Sequence, residues 1–265
     1  MGLVKLGIFG AGGRMGQAIA AIVAKDPDAR LTALIESAGS PAVGQERHGV
    51  VITDDPARGL AGVDAAIDFT APEASVAHAA LAARAGVPLV IGTTGVPEDG
   101  VEKLRAAARK AAIVFSPNMS LSANVLFEVA ERVAALLPGY DAEVTEIHHN
   151  LKKDAPSGTA KRLAESVRRG RQKGRFVFGR EGLVGERKAD EIGIHAVRGG
   201  DVVGDHTVLF LGDGERIELV HRVTSRTAFA AGAVAAAKWA VGKPAGFYDM
   251  ADVLGLAKAD LRGKK

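Results

Sequence analysis

Leu3 to Phe9 is an apolar, β-compatible run, and Gly10-Ala-Gly-Gly-Arg-Met-Gly16 follows at once. Gln17 to Ala24, with Ile19, Ile22 and Val23, then has the spacing of a helix. Strand, glycine turn and helix in direct succession constrain the fold more than any other feature of this chain. That order commits the N-terminal region to a βαβ unit, and it is the context in which a glycine motif becomes a dinucleotide site. The strict G-x-G-x-x-G form would need glycine at position 15, where Met15 stands. The chain instead has G-x-x-G-x-x-G through Gly10, Gly13 and Gly16, with Gly12 in addition. A tight structural turn is the competing explanation for such glycines. The next strand, Arg30 to Ile35, favours the dinucleotide, because it ends at Glu36, twenty residues after Gly16. An acidic side chain at that place accepts hydrogen bonds from the adenosine ribose hydroxyls. Ser37 follows it, so no cation stands next in the chain for a 2′-phosphate, although Arg14 in the glycine loop could partly serve. NADH and NADPH therefore both remain open as cofactors.

The alternation continues. Asp64 to Phe69, Val87 to Ile91 and Ala112 to Phe115 read as strands, and Pro72 to Ala85 and Pro97 to Ala111 as helices. Each strand runs into a small polar cluster: Thr70, Gly92-Thr-Thr-Gly95 and Ser116-Pro-Asn-Met119. In an open parallel sheet, ligands lie beyond the carboxyl ends of the strands, so these clusters are candidates to contact the nicotinamide half of a cofactor. Leu121 to Leu137 reads as a long helix closed by Pro138-Gly139.

A second organising stretch is Glu146-Ile-His-His-Asn-Leu-Lys-Lys-Asp-Ala-Pro-Ser-Gly-Thr-Ala160. The β-rich Asp141 to Ile147 runs into His148. Ala160, Leu163, Ala164 and Val167 then recur at i, i+3, i+4, i+7, with Ser157 placed as N-cap. A helix N-terminus holds a carboxylate well, because its first N–H groups lack internal partners and carry the positive end of the macrodipole. Two histidines and two lysines just upstream would add donors and a proton source. A strand-end histidine pair can also be half-exposed and inert; the lysines and the glycine-opened helix in the same loop favour a pocket for a carboxylate-bearing small molecule.

Ile192 to Val197, Val202 to Leu211 and Glu215 to Val223 are strand-like, with Gly-Gly and Asp-Gly turns between them, and suggest a small, mostly antiparallel sheet. Thr227 to Val241 and Met250 to Leu256 read as helices returning to the first domain, the former buried and alanine-rich. The expectation is an α/β protein of 265 residues. It comprises a Rossmann-type dinucleotide-binding domain (1–119), an α+β substrate and oligomerisation domain with a mixed sheet (120–228), and C-terminal helices (229–265).

Composition narrows the function classes. A net charge of +3 is too mild to require a nucleic-acid partner but suits anionic ligands. Arg168 to Arg175 carries five cations in eight residues, without interleaved aromatics, and reads as the solvated end of a helix and its loop. The absence of cysteine excludes disulfides, thiolate metal sites and cysteine nucleophiles, and fits a reducing cytoplasm. No signal-peptide layout opens the chain, and the apolar run from Thr227 to Ala237 is too short to span a bilayer, so a soluble cytoplasmic protein is expected. His195, His206 and His221 lie in strand patterns without carboxylates at ligand spacing; they read as structural or surface residues, and no metal is expected.

With these residues in view, the sequence resembles the dihydrodipicolinate reductase family, also called 4-hydroxy-tetrahydrodipicolinate reductase, of bacterial lysine biosynthesis. The glycine loop, Ile67-Asp-Phe-Thr70, Ile91-Gly-Thr-Thr-Gly95, Arg198 to His206 and Glu215 to His221 all look like family stretches. The most specific is His148 to Thr159, which fits the signature H-H-x-x-K-x-D-A-P-S-G-T. The resemblance implies NAD(P)H-dependent reduction of a cyclic dicarboxylate, with His148 as general acid and Lys152, by register, as the catalytic lysine. It implies substrate binding by His149, Lys152, Gly158 and Thr159. It implies cofactor binding by Gly10, Ala11, Gly12, Gly13, Arg14, Met15, Glu36, Gly92, Thr93, Thr94, Ser116, Pro117, Asn118 and Met119, and a homotetramer built through the substrate-domain sheets. Many relatives carry a basic residue where this chain has Ser37, which leaves the cofactor preference open. Two alternatives stand beside it: another two-domain dehydrogenase of an amino-acid precursor, and a non-catalytic dinucleotide sensor.

Overall fold

The structure is a computed structural model, and residues 2–256 of it are described. In chain order the elements are β1 (Val4–Phe9), α1 (Arg14–Val23), β2 (Ala29–Ile35), β3 (Glu46–Arg47), β4 (Val50–Thr53), α2 (Pro56–Leu60) and β5 (Ala65–Asp68). Then come α3 (Pro72–Ala85), β6 (Leu89–Ile91), α4 (Glu98–Ala107), β7 (Ala112–Phe115), α5 (Leu121–Leu136), β8 (Asp141–His148) and α6 (Gly158–Arg171). The chain continues through β9 (Arg175–Phe178), β10 (Glu191–Arg198), β11 (Gly204–Gly212), β12 (Glu215–Val223), α7 (Thr227–Ala240), β13 (Gly246–Tyr248) and α8 (Met250–Val253). Two compact units result. One comprises residues 1–121 and 226–255, the other residues 122–225. The unit borders fall at Leu121/Ser122 and Ser225/Arg226, and positions 257–265 of the expected C-terminal segment lie outside the described residues.

In the first unit the sheet order is β13-β7-β6-β5-β1-β2-β4-β3. Every pairing is parallel except the short β3–β4 hairpin. The chain winds outward in both directions from β1, which places the topological switch point at the carboxyl end of that strand. The central strands β1, β5, β6 and β7 are buried on both faces, and alternate residues serve opposite cores. Leu6, Ile8, Ile67, Val90 and Val114 pack under α1 and α7 with Ile19, Val23 and Ala233. Phe9, Ala66, Leu89, Ile91 and Ile113 pack under α3 and α4 with Ala79, Ala82 and Leu104. The alanines of α7 belong to the first of these cores.

In the second unit the sheet order is β12-β11-β8-β10-β9. The sheet is mixed. Its antiparallel pairings, β11–β12 and β11–β8, run over nine and seven residue pairs, and its parallel pairings, β10–β8 and β10–β9, over seven and four. One face is covered by α5 and α6, whose Phe127, Ala130, Leu163 and Val167 meet Val144, Ile194, Val208 and Phe210. Gly170 is required where the two helices touch, since a Cβ there would collide with the Glu131 carbonyl. The opposite face carries charge: Glu143 accepts from Arg180, Arg187 and His195. Burial works against ionisation of Glu143, but these donors outweigh it and hold the carboxyl at about 2. Arg171 departs from the expectation of a solvated cationic helix end: it is buried, because α6 turns it under the sheet, where it donates to the Glu191 carbonyl.

Candidate active site: two strand ends and a capped helix

In the second unit, Asp141 to His148 alternate in burial because β8 is covered on one face only. Glu146 and His148 are two residues apart and so share the covered face, at the strand end. Glu146 is fully buried, yet each of its four lone-pair directions meets a donor. Oε2 accepts from His148 Nδ1 at 2.5 Å and from Arg198 Nη1 at 2.8 Å. Oε1 accepts from Arg198 Nη2 at 2.8 Å and from the Ser157 backbone N–H at 3.0 Å. One carboxylate thus ties together the end of β8, the end of β10 and the start of α6. Arg198 also donates to the Asp154 carbonyl at 2.6 Å, which fixes the loop between them. Burial acts to raise the Glu146 pKa, but the Arg198 and His148 hydrogen bonds prevail and lower it. Arginine suits this place because its planar fork matches both carboxylate oxygens at once.

His148 is 8% exposed. With Nδ1 committed to Glu146, its Nε2 is the nitrogen left for chemistry. Gly204 stands opposite: a Cβ there would lie 3.1 Å from Nε2, so glycine keeps that nitrogen uncrowded. Burial lowers the His148 pKa below 6.5, and the Glu146 contact opposes that shift only in part.

Ser157 caps α6 as its spacing suggested, accepting from the Ala160 N–H at 3.2 Å. Its hydroxyl lies 3.2 Å from His206 Nε2, and the His206 ring meets His148 edge-on at 5.1 Å. His221 lies beyond His206 at 6.2 Å and reaches the Ser122 hydroxyl at 3.0 Å. His206 and His221 are therefore not surface residues: both are buried, in one file leading to His148. Desolvation, with the neighbouring histidines adding to it, pushes His206 down to about 3, so it is a neutral wall. His195 belongs elsewhere, held by Glu143 at 2.7 Å.

The remaining expected substrate residues lie in the loop before α6 and in its first turn. Lys152 Nζ is 2.8 Å from Asp154 Oδ1. The His149 N–H donates to the Val202 carbonyl at 2.8 Å, and its buried Nδ1 has no partner among the described residues. Gly158 and Thr159 are the first residues of α6, where N–H groups lack intrahelical acceptors. Nothing stands within 4 Å of a Cβ at Gly158. Neither Glu146 nor Arg198 had an expected role: the signal for Glu146 is its place two residues before His148 in a strand, whereas Arg198 has none, because β8–β10 pairing alone brings it there.

In the first unit, the expected cofactor residues gather at the carboxyl ends of β1, β2, β5, β6 and β7. The turn fits a dinucleotide. Gly10 has φ +73°, and a Cβ on Gly16 would collide with the Gly10 carbonyl, so the turn and the start of α1 approach as only glycines permit. Glu36 lies at the end of β2, with Oε1 accepting from the Gly12 N–H at 2.9 Å and Oε2 from the Ser37 N–H at 2.8 Å. Fully buried Asp68 locks the adjacent strand ends together. It accepts from the Thr70 hydroxyl at 2.6 Å and the Ser75 hydroxyl at 3.0 Å, while Ser75 bonds Thr93 at 2.7 Å and His78 Nδ1 lies 2.7 Å from Asp68. Thr93 thus spends its hydroxyl inside the protein, whereas Thr94 is exposed. Ser116 donates to the Asn118 carbonyl at 2.8 Å. Pro117 is exposed, and the Met119 side chain is buried in the α1–α7 core, which leaves only its backbone to a ligand. Ala11 is buried, Met15 is half-buried, and Gly13 and Arg14 are exposed. Among the described residues no cluster of His, Asp and Glu could hold a metal ion, and no helix is long and apolar enough to cross a membrane.

Comparison with known proteins agrees with this architecture. Residues 4–119 match the family model for the N-terminus of dihydrodipicolinate reductase, and residues 122–254 that for its C-terminus. A 4-hydroxy-tetrahydrodipicolinate reductase of Anaeromyxobacter dehalogenans is 51% identical, covering 96% of this chain and 98% of its own. That of Thiobacillus denitrificans is 48% identical, covering 96% and 99%. The fold is also that of a dipicolinate-bound dihydrodipicolinate reductase from Paenisporosarcina sp. TG-14, with TM-score 0.78 and 24% identity over 93% of this chain and 97% of that one. The chain therefore belongs to the dihydrodipicolinate reductase family, nicotinamide-dependent oxidoreductases of the diaminopimelate route to lysine.

Proposed function

We propose that this protein reduces 4-hydroxy-tetrahydrodipicolinate to tetrahydrodipicolinate, with His148 supplying the proton and a reduced nicotinamide dinucleotide, NADH or NADPH, supplying the hydride. The observation that carries the reading is the Glu146–His148–Arg198 cluster at the N-terminus of α6. Net reduction consumes one hydride and one proton and releases water. The chain's own part is to hold a doubly negative ring, stabilise charge developing on it, and deliver the proton. One carboxylate of the ring suits the N–H groups of Gly158 and Thr159. Lys152 neutralises remaining charge and His149 adds a hydrogen-bonding group; Lys152 exchanges Asp154, an exposed partner, for the substrate at small cost. Glu146 orients His148 so that Nε2 faces outward and stabilises the imidazolium form that must donate. Substrate charge acts against the lowering by burial and raises the His148 pKa back toward the working range.

Oxidation of NADH and of NADPH, measured side by side with freshly generated cyclic substrate, tests the reading; no oxidation of either would end it. Two further results are expected. Only protonated His148 donates, and its free-enzyme pKa is below 6.5. The kcat/KM profile should therefore fall about tenfold per pH unit above that value, and a flat profile between about pH 5 and 9 would remove His148 from the acid role. Glu36→Ala should weaken NADH more than NADPH, because the phosphorylated ribose offers Glu36 one hydroxyl fewer; equal losses would argue against the ribose contact. A homotetramer built through the second unit's sheet is consistent with the exposed Val197 and Val220 on the sheet face away from α5 and α6, and the mass in solution tests it.

A further inference from the structure

From the placement of Arg47 we infer that this residue, rather than the one following Glu36, receives the 2′-phosphate of NADPH. The inference rests on the dinucleotide reading of the first unit. The residue after Glu36 is Ser37, which supplies no charge. The chain then runs out and returns through the hairpin formed by β3 and β4, in which Arg47 pairs with Val50. This return sets the Arg47 guanidinium against the glycine turn: Nη1 lies 3.4 Å from the Ala11 carbonyl. Glu36 grips the very next residue, accepting from the Gly12 N–H at 2.9 Å. A cation and a carboxylate therefore flank one peptide unit of the turn, the carboxylate where a ribose hydroxyl is expected.

Two further observations favour a ligand for Arg47. Its other contact, Nη2 to Gln45 Oε1, is 3.5 Å long. Both bonds are at the weak end of the range, so a half-buried guanidinium keeps most of its five N–H donors unspent. No Asp or Glu pairs with it among the described residues. Glu36 alone would repel a 2′-phosphate, and a guanidinium on the other side of the same peptide offsets that repulsion while forming charge-assisted bonds to the phosphate oxygens. Arg14 opens α1, the helix end where the diphosphate is expected.

The test is calorimetric titration of wild-type protein and Arg47→Gln with 2′,5′-ADP and with NADH. In the variant, affinity for 2′,5′-ADP should fall about tenfold or more, the loss expected for a charged hydrogen-bond partner of phosphate. Affinity for NADH should stay within about twofold, and Arg47→Lys should recover part of the loss. Equal losses for both ligands would mean that Arg47 merely pins the loop, and no loss would mean that it is not a contact; either overturns the inference. Wild-type protein that binds NADH but not 2′,5′-ADP overturns this inference alone. Binding of neither overturns the dinucleotide reading and takes this inference with it.

Discussion

His148→Gln is expected to lower kcat by about 10²- to 10⁴-fold, the range over which a positioned general acid acts, while leaving NADH affinity at its wild-type value. Glutamine keeps a polar side chain of similar reach and can still donate to Glu146, so the buried carboxylate is not stranded. What it lacks is an acid near neutral pH. The split between turnover and cofactor affinity is the informative part, because the expected cofactor residues lie in the first unit and His148 in the second. A general loss of folding would reduce both. Calorimetric NADH binding together with single-turnover hydride transfer measures the split. Turnover within about threefold of wild type would assign the proton to another donor, with a water held by Lys152 the first candidate.

The second large effect is structural. Arg198→Ala should destabilise the protein by about 3–5 kcal/mol, because it leaves a fully buried carboxylate with half of its donors removed. His148 and the Ser157 N–H still bond Glu146, so some compensation remains, but the fork that neutralised the charge is gone. The loop end at Asp154 loses its anchor in the same step. The matched double variant Glu146→Met/Arg198→Met should recover much of the loss, since replacing a buried ion pair by apolar groups of similar volume is often neutral. Its activity should stay low, because His148 then has no group to orient it. Urea midpoints for the single and double variants check both statements. A stability change below about 1 kcal/mol for Arg198→Ala would show that the buried pair carries no such weight.

Local patterns made much of this protein legible. The alternation of apolar strands with helical stripes announced the parallel sheet, since burial on both faces demands continuous apolar runs. Pro72 to Ala85 and Ala112 to Phe115 appear in the structure with the bounds their spacing suggests. Ser157 was readable as a cap because an N-cap needs only a short side-chain oxygen ahead of an apolar stripe. The short strands β3, β4 and β13 were not read from the sequence: each is set by pairing with a strand already in the sheet rather than by its place in a strand–helix alternation. The buried file of His148, His206 and His221 was likewise invisible, because burial of a histidine depends on which strands become neighbours.

The chain by itself determined the Rossmann-type unit, the glycine turn, Glu36 at its strand end, and the histidine–lysine loop leading into a capped helix. These follow from interactions between residues close in sequence: turn geometry, capping and the two periodicities. Only the tertiary structure decided what surrounds them. Strand pairing set Arg198 against Glu146 across 52 positions, and the returning hairpin set Arg47 against Ala11 across 36. Hydrogen bonds between such distant residues have no local signature, because the energy that selects them comes from burying whole strands and helices rather than from the chain near either partner.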